Sequence, residues 1–101
     1  MNNKAEAGTS FEKAYKLKSD NPKLYYNYGL LLEQEGKMGK ALEVLETGLK
    51  FDNTSADINY ALAYVYLQHK DIPKAREYAE RLKRFAPDNP DYQGLFSELG
   101  V

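Results

Sequence analysis

Sliding this sequence along itself by 34 residues brings its special positions into coincidence. Gly29 falls on Ala63, Ala41 on Ala75, Tyr28 on Leu62, Leu32 on Tyr66 and Asn53 on Pro87. Twice that shift places Asn21-Pro22 on Asn89-Pro90. A fixed period of this size marks stacked supersecondary units, none of which buries its apolar face alone. The unit to explain is residues 22–55, which recurs at 56–89.

Each unit reads as two helices joined by a turn. Asn21-Pro22 is a start signal, because the Asn side chain accepts from free backbone N–H groups and Pro at the first helical position gives up no needed donor. From about 22 to 35, Leu24, Tyr25, Tyr28, Leu31 and Leu32 form an apolar stripe at helical spacing. Gly36 then ends the helix in the left-handed conformation. The partner helix, about 39–51, turns Ala41, Val44, Leu45, Gly48 and Leu49 inward, with Ala41 and Gly48 small because two helices approach closely there. Glu46 and Lys50 have the spacing of a surface pair. In the second unit Ser55 caps helix 56–69, with Ile58, Leu62, Ala63, Val65 and Tyr66 inward. Asp71 caps helix 72–85, with Ala75, Tyr78, Ala79, Leu82 and Phe85 inward and Glu77–Arg81 and Glu80–Arg84 outside.

The ends fit the same frame. Residues 1–9 are small and polar, which predicts a frayed start. A helix from about Ala5 or Ser10 to Lys18, with Phe11, Ala14, Tyr15 and Leu17 apolar, reads as the second half of an earlier repeat over 5–21. Residues 90–101 hold a short amphipathic helix, with Tyr92, Leu95, Phe96 and Leu99 on one side. It is placed to cover the Leu82 and Phe85 face where the array ends. Whether it does so from the end or from within the groove is open.

These residues resemble the tetratricopeptide repeat family. The carriers are Tyr25-x-x-Tyr28-Gly29-x-x-Leu32, Ala41-x-x-x-Leu45 and Gly48 in the first unit, and Leu62-Ala63-x-x-Tyr66, Ala75 and Pro87 in the second. Four positions depart from the family pattern. Asn59 takes a large-aromatic place, Asn53 replaces Pro, Ala79 is small where bulk is usual, and Leu82 is large where a small residue is usual. The resemblance implies an all-α fold of antiparallel helix–turn–helix repeats. They would stack as a short right-handed α-solenoid, with an N-terminal half repeat and a C-terminal capping helix. It also implies a concave groove lined by the first helix of each pair, working as a protein–protein interaction scaffold.

The groove side is then Lys23, Tyr26, Asn27, Leu30, Glu33 and Gln34, with Asp57, Tyr60, Ala61, Tyr64, Leu67 and Gln68, the residues that the helical wheel separates from the apolar stripe. Tyr26, Tyr60 and Tyr64 are the sharpest candidates. Half-exposed aromatics anchor peptides at low entropic cost, yet the terminal helix or a neighbouring repeat packing over them explains the same pattern. Lys23 and Asn27 match the start of the family's carboxylate clamp, but Ala61, Asp91 and Leu95 occupy its remaining places, so a clamp for a chaperone C-terminus is not expected. Lys74, Arg76, Arg81, Lys83 and Arg84 form a basic ridge interleaved with Glu77 and Glu80, which reads as a solvated face.

Composition narrows the function further. A net charge of −1 over 101 residues gives no general drive toward nucleic acid or an anionic membrane. With no cysteine and one histidine, His69, no metal site or thiol chemistry can be assembled. No nucleophile with its base, phosphate loop or acid pair stands at working spacing. No enzyme activity and no cofactor are therefore expected. No apolar run approaches a membrane span, and no secretory core opens the chain, which leaves the cytoplasm as the default location. The leading expectation is a module that binds a protein or peptide segment in its groove. The alternative is a self-assembly unit that dimerises or extends through its terminal helices.

Overall fold

In the computed structural model, which describes residues 3–101 and side chains from Gly8 onward, the start and stop signals become helix boundaries. The helices are α1 (Asn3–Lys16), α2 (Pro22–Gln34), α3 (Met38–Phe51), α4 (Ala56–Gln68), α5 (Ile72–Phe85) and α6 (Pro90–Leu99). No strand occurs among the described residues. Asn21 accepts from the Lys23 N–H, Ser55 from Ile58, Asp71 from Lys74 and Asn89 from Asp91. Each cap satisfies a donor that the first turn leaves free. Gly36, at φ +79°, takes the left-handed conformation expected of it.

Two boundaries differ from expectation. Residues 1–2 of the predicted frayed start lie outside the described residues, whereas 3–9 belong to α1. That helix also stops at Lys16, two residues early, because Lys18 adopts a left-handed φ of +56° and turns the chain toward α2.

Short turns fold α2 against α3 and α4 against α5 as tight hairpins, and α2 also lies beside α4. One core runs through both pairs, from Leu24, Tyr25 and Tyr28 through Val44 and Leu45 to Ile58, Leu62, Leu82, Phe96 and Leu99. Close approach explains the small residues in the first pair. A Cβ on Gly48 would stand 2.6 Å from Tyr25 Cβ and 2.8 Å from Ile58 Cδ1. A Cβ on Gly29 would stand 2.5 Å from Leu45 Cδ2.

Several predicted faces shift. Leu17 lies beyond the end of α1 and is 82% exposed. Phe85, expected inward, is exposed as the last residue of α5. Leu49 and Tyr66 are half-buried rather than buried. Among the described residues the ion pairs are Lys16–Glu12, Lys37–Glu35, Lys40–Glu12 and Lys74–Glu77. The expected Glu46–Lys50, Glu77–Arg81 and Glu80–Arg84 pairs therefore do not close. Glu46 instead accepts from the Tyr66 hydroxyl at 2.8 Å, and the Arg81 guanidinium lies over the Tyr78 ring at 5.4 Å.

Candidate functional site

The first helices of the two pairs, α2 and α4, lie side by side, and their shared surface carries the candidate residues. Leu30, Glu33 and Gln34 from α2 and Tyr60 and Tyr64 from α4 line an open recess of about 350 Å³. Tyr60 and Tyr64, one helical turn apart, set their rings nearly parallel at 6.4 Å. Leu30, Glu33, Tyr60 and Tyr64 are all half-buried, which leaves each with surface to offer.

Toward the N-terminal ends of the same helices the character changes. Burial first, then the Asp57 carboxylate and then Tyr60 raise the Tyr26 phenol above its ordinary pKa. Tyr92 of α6 joins the group, with its ring 5.1 Å from that of Tyr60. Its phenol is raised by burial, by Asp57, by Tyr26, by Asp91 and by Tyr60. Asp57 thus acts on both Tyr26 and Tyr92, where a nearby anion disfavours a phenolate.

The other expected groove residues fall at the margins. Lys23, Asn27, Asp57 and Gln68 are exposed, and Leu67 is half-buried. Ala61 is a correction, being fully buried. Helix α4 packs against α2, α3 and α5, and among these neighbours Ala61 keeps no exposed surface.

Helix α6 packs chiefly against α5. Leu95, Phe96 and Leu99 are buried in the core, the Arg76 Nε donates to the Leu99 carbonyl at 2.8 Å, and the Lys83 ammonium lies 5.9 Å from the Phe96 ring centroid. Its Tyr92 meanwhile reaches the α4 tyrosines, so Tyr60 is partly a packing residue. Asn89-Pro90 repeats Asn21-Pro22 and starts α6 as a first helix, and the same register sets Tyr92 on Leu24 and Ile58 of the apolar stripe. The role of Arg76 carried no such signal. Its spacing sets it in a solvated ridge, whereas it binds the carbonyl end of α6, where a cation is favoured.

His69 is exposed at the C-cap of α4, and the described residues contain no group of three or more His, Cys, Asp or Glu able to hold a metal ion. No helix among the described residues is long and apolar enough to cross a membrane.

Paired helices recurring at one period, with their first helices in a row, define an all-α helical-repeat protein. Residues 32–99 match a sequence profile described as tetratricopeptide repeat, and residues 1–56 match a second profile of the same description. The chain belongs to the tetratricopeptide repeat family, whose repeats generally mediate protein–protein interaction or assembly. A comparison with curated proteins gives no match.

Proposed function

We propose that this protein is a non-catalytic scaffold that docks an extended or helical segment of a partner protein across the face formed by α2 and α4. The observation that carries the reading is the recess between those helices, lined by Leu30, Glu33, Gln34, Tyr60 and Tyr64. Aromatic rings with one apolar face and one polar tip supply contact area without much loss of rotamer freedom, as partner-binding anchors require. Tyr64 and Leu30 are the better probes, since Tyr60 also holds Tyr92.

A photo-crosslinking residue placed at Tyr64, and separately at Glu80 on the exposed side of α5, tests this in cell extract. Capture from position 64 alone, abolished by Leu30→Lys in a protein that keeps its helical circular dichroism, is the expected result. Equal capture from both positions, or none from position 64, rejects the docking face.

Self-assembly is the second reading, favoured by Leu17, which stands open beyond α1. A solution mass independent of protein concentration removes it.

A further inference from the structure

This inference rests on the docking face just described and concerns the chemistry of the segment it takes. The row of first helices is charged unlike the rest of the molecule. Across α2, α4 and α6 the one cation is Lys23, against the carboxylates of Glu33, Asp57, Asp91 and Glu98. Helix α5, a second helix, holds the opposite balance, with Lys74, Arg76, Arg81, Lys83 and Arg84 against Glu77 and Glu80. A chain of net charge −1 therefore keeps its negative field on the row that carries the tyrosines.

The arrangement within that row is specific. Glu33 lines the recess together with Tyr60 and Tyr64, and Leu30 adds an apolar side chain to it. Asp57 stands exposed in the first turn of α4, near enough to Tyr26 and Tyr92 for its charge to act on both phenols. Tyrosine faces attract cations through the ring quadrupole, and more strongly where water is displaced. A long basic side chain also has an apolar stem that packs on a residue such as Leu30 while its head reaches a carboxylate. An acidic segment, by contrast, would meet two carboxylates with only the exposed Lys23 to answer it.

We infer that the docking face takes a basic segment, with an arginine or lysine side chain seated in the Leu30–Tyr60–Tyr64 recess against Glu33 and a second basic residue directed toward Asp57. Both carboxylates lie on exposed or half-buried positions, so the attraction is subject to salt. It acts on partner choice and association rate as much as on final affinity.

The test is selection of binders from a library of randomised peptides on the full chain, followed by titration of the enriched peptides. Enrichment in Arg and Lys is expected, with affinity falling about tenfold or more in Glu33→Lys and in Tyr64→Ala, and weakening with added salt. Circular dichroism of both variants guards against unfolding. Enriched peptides that are acidic or neutral, yet still lost in Tyr64→Ala, overturn the basic partner while the docking face stands. Basic peptides indifferent to both substitutions adhere elsewhere and also overturn it. No binder sensitive to Tyr64→Ala rejects the docking face itself and this inference with it.

Discussion

The two helix pairs solve the same packing problem with opposite choices. In the first pair Tyr25 is large and Gly48, across from it, has no side chain. One period on, the same two positions hold Asn59 and Leu82, both fully buried. The first pair sets Gly29 against Leu45, and the second has Ala63 and Ala79 in those places, again fully buried. Three of the four departures from the family pattern, Asn59, Ala79 and Leu82, therefore belong to two exchanges of bulk. Interiors are packed to crystal-like density, so volume given up on one helix is taken up by its partner. The polar contact survives the exchange. The Tyr25 hydroxyl donates to the Ser19 carbonyl, and the Asn59 amide donates to the carbonyl of Asn53, one period later, at 3.3 Å. What the second pair lacks is the ring. Phe51 stacks on Tyr25 at 5.4 Å, while its counterpart Phe85 has no such partner, although both rings stay largely open to water.

The comparison breaks most visibly if each pair is given the other's residue. Gly48→Leu drives a side chain into Tyr25 Cβ, which cannot swing away without its helix. Leu82→Gly empties a fully buried site and adds a flexible residue to a helix interior. Each is expected to cost about 3 kcal/mol or more, from overpacking in one case and a cavity in the other. Chemical denaturation with matched m-values measures both. A cost below about 1 kcal/mol for either would mean that the pairs are interchangeable and that the two exchanges are accidental.

A smaller effect sharpens the second exchange, because it predicts a change of sign. In the native background Gly29→Ala meets Leu45 Cγ and Cδ2, both at 2.5 Å, in a site with no exposed surface. The clash outweighs the better helix propensity of Ala, and a net loss of about 1–2 kcal/mol is expected. In a Leu45→Ala background the obstructing atoms are gone and the new methyl fills part of the cavity. There the same substitution is expected to stabilise, reproducing the Ala63 and Ala79 arrangement. A double-mutant cycle reads this directly, and simple additivity of the two changes would count against the compensation.

Most of the fold was legible because it is written in repeated local signals. The Asn, Ser and Asp caps, Gly36 and the inward stripes each act within a turn or two of the chain, and each repeats. What escaped depends on contacts between elements. Ala61 has the register of an exposed Asn27, and the packing of neighbouring helices on α4 buries it. Arg76 reads like its basic neighbours until the C-terminus of α6 is brought to it. Glu46 and Lys50 have ideal helical spacing, but Tyr66 competes for the carboxylate from another helix. In the candidate site, Leu30, Glu33, Gln34, Tyr60 and Tyr64 converge as their shared wheel face required. Tyr92 shares its register with Leu24 and Ile58 of the apolar stripe, so no local signal brings it beside Tyr60.

The smallest expected effect concerns the joints between units. Glu12 and Glu46 are one period apart, yet Glu12 pairs with Lys40 at 3.8 Å and Glu46 accepts from Tyr66. The Glu12 pair is open to water on both sides and should contribute almost nothing. The Tyr66 bond is worth about 0.5 kcal/mol at its partly exposed site, which Tyr66→Phe removes. Burial first, then this bond and the nearby Glu46 charge, raise the Tyr66 phenol well above the ordinary tyrosine value. Burial first does the same for Tyr78, with Glu46 next. A raised phenol pKa favours the neutral form in the folded state. Its stabilisation is therefore fully present below about pH 10, where unfolded tyrosine begins to ionise, and is lost as pH climbs toward the folded value. Melting temperature should fall above pH 10, and less steeply in Tyr66→Phe than in the native protein. Equal slopes would show that the Glu46 joint is as dispensable as the Glu12 one, and the two ends of the core would then be held by apolar packing alone.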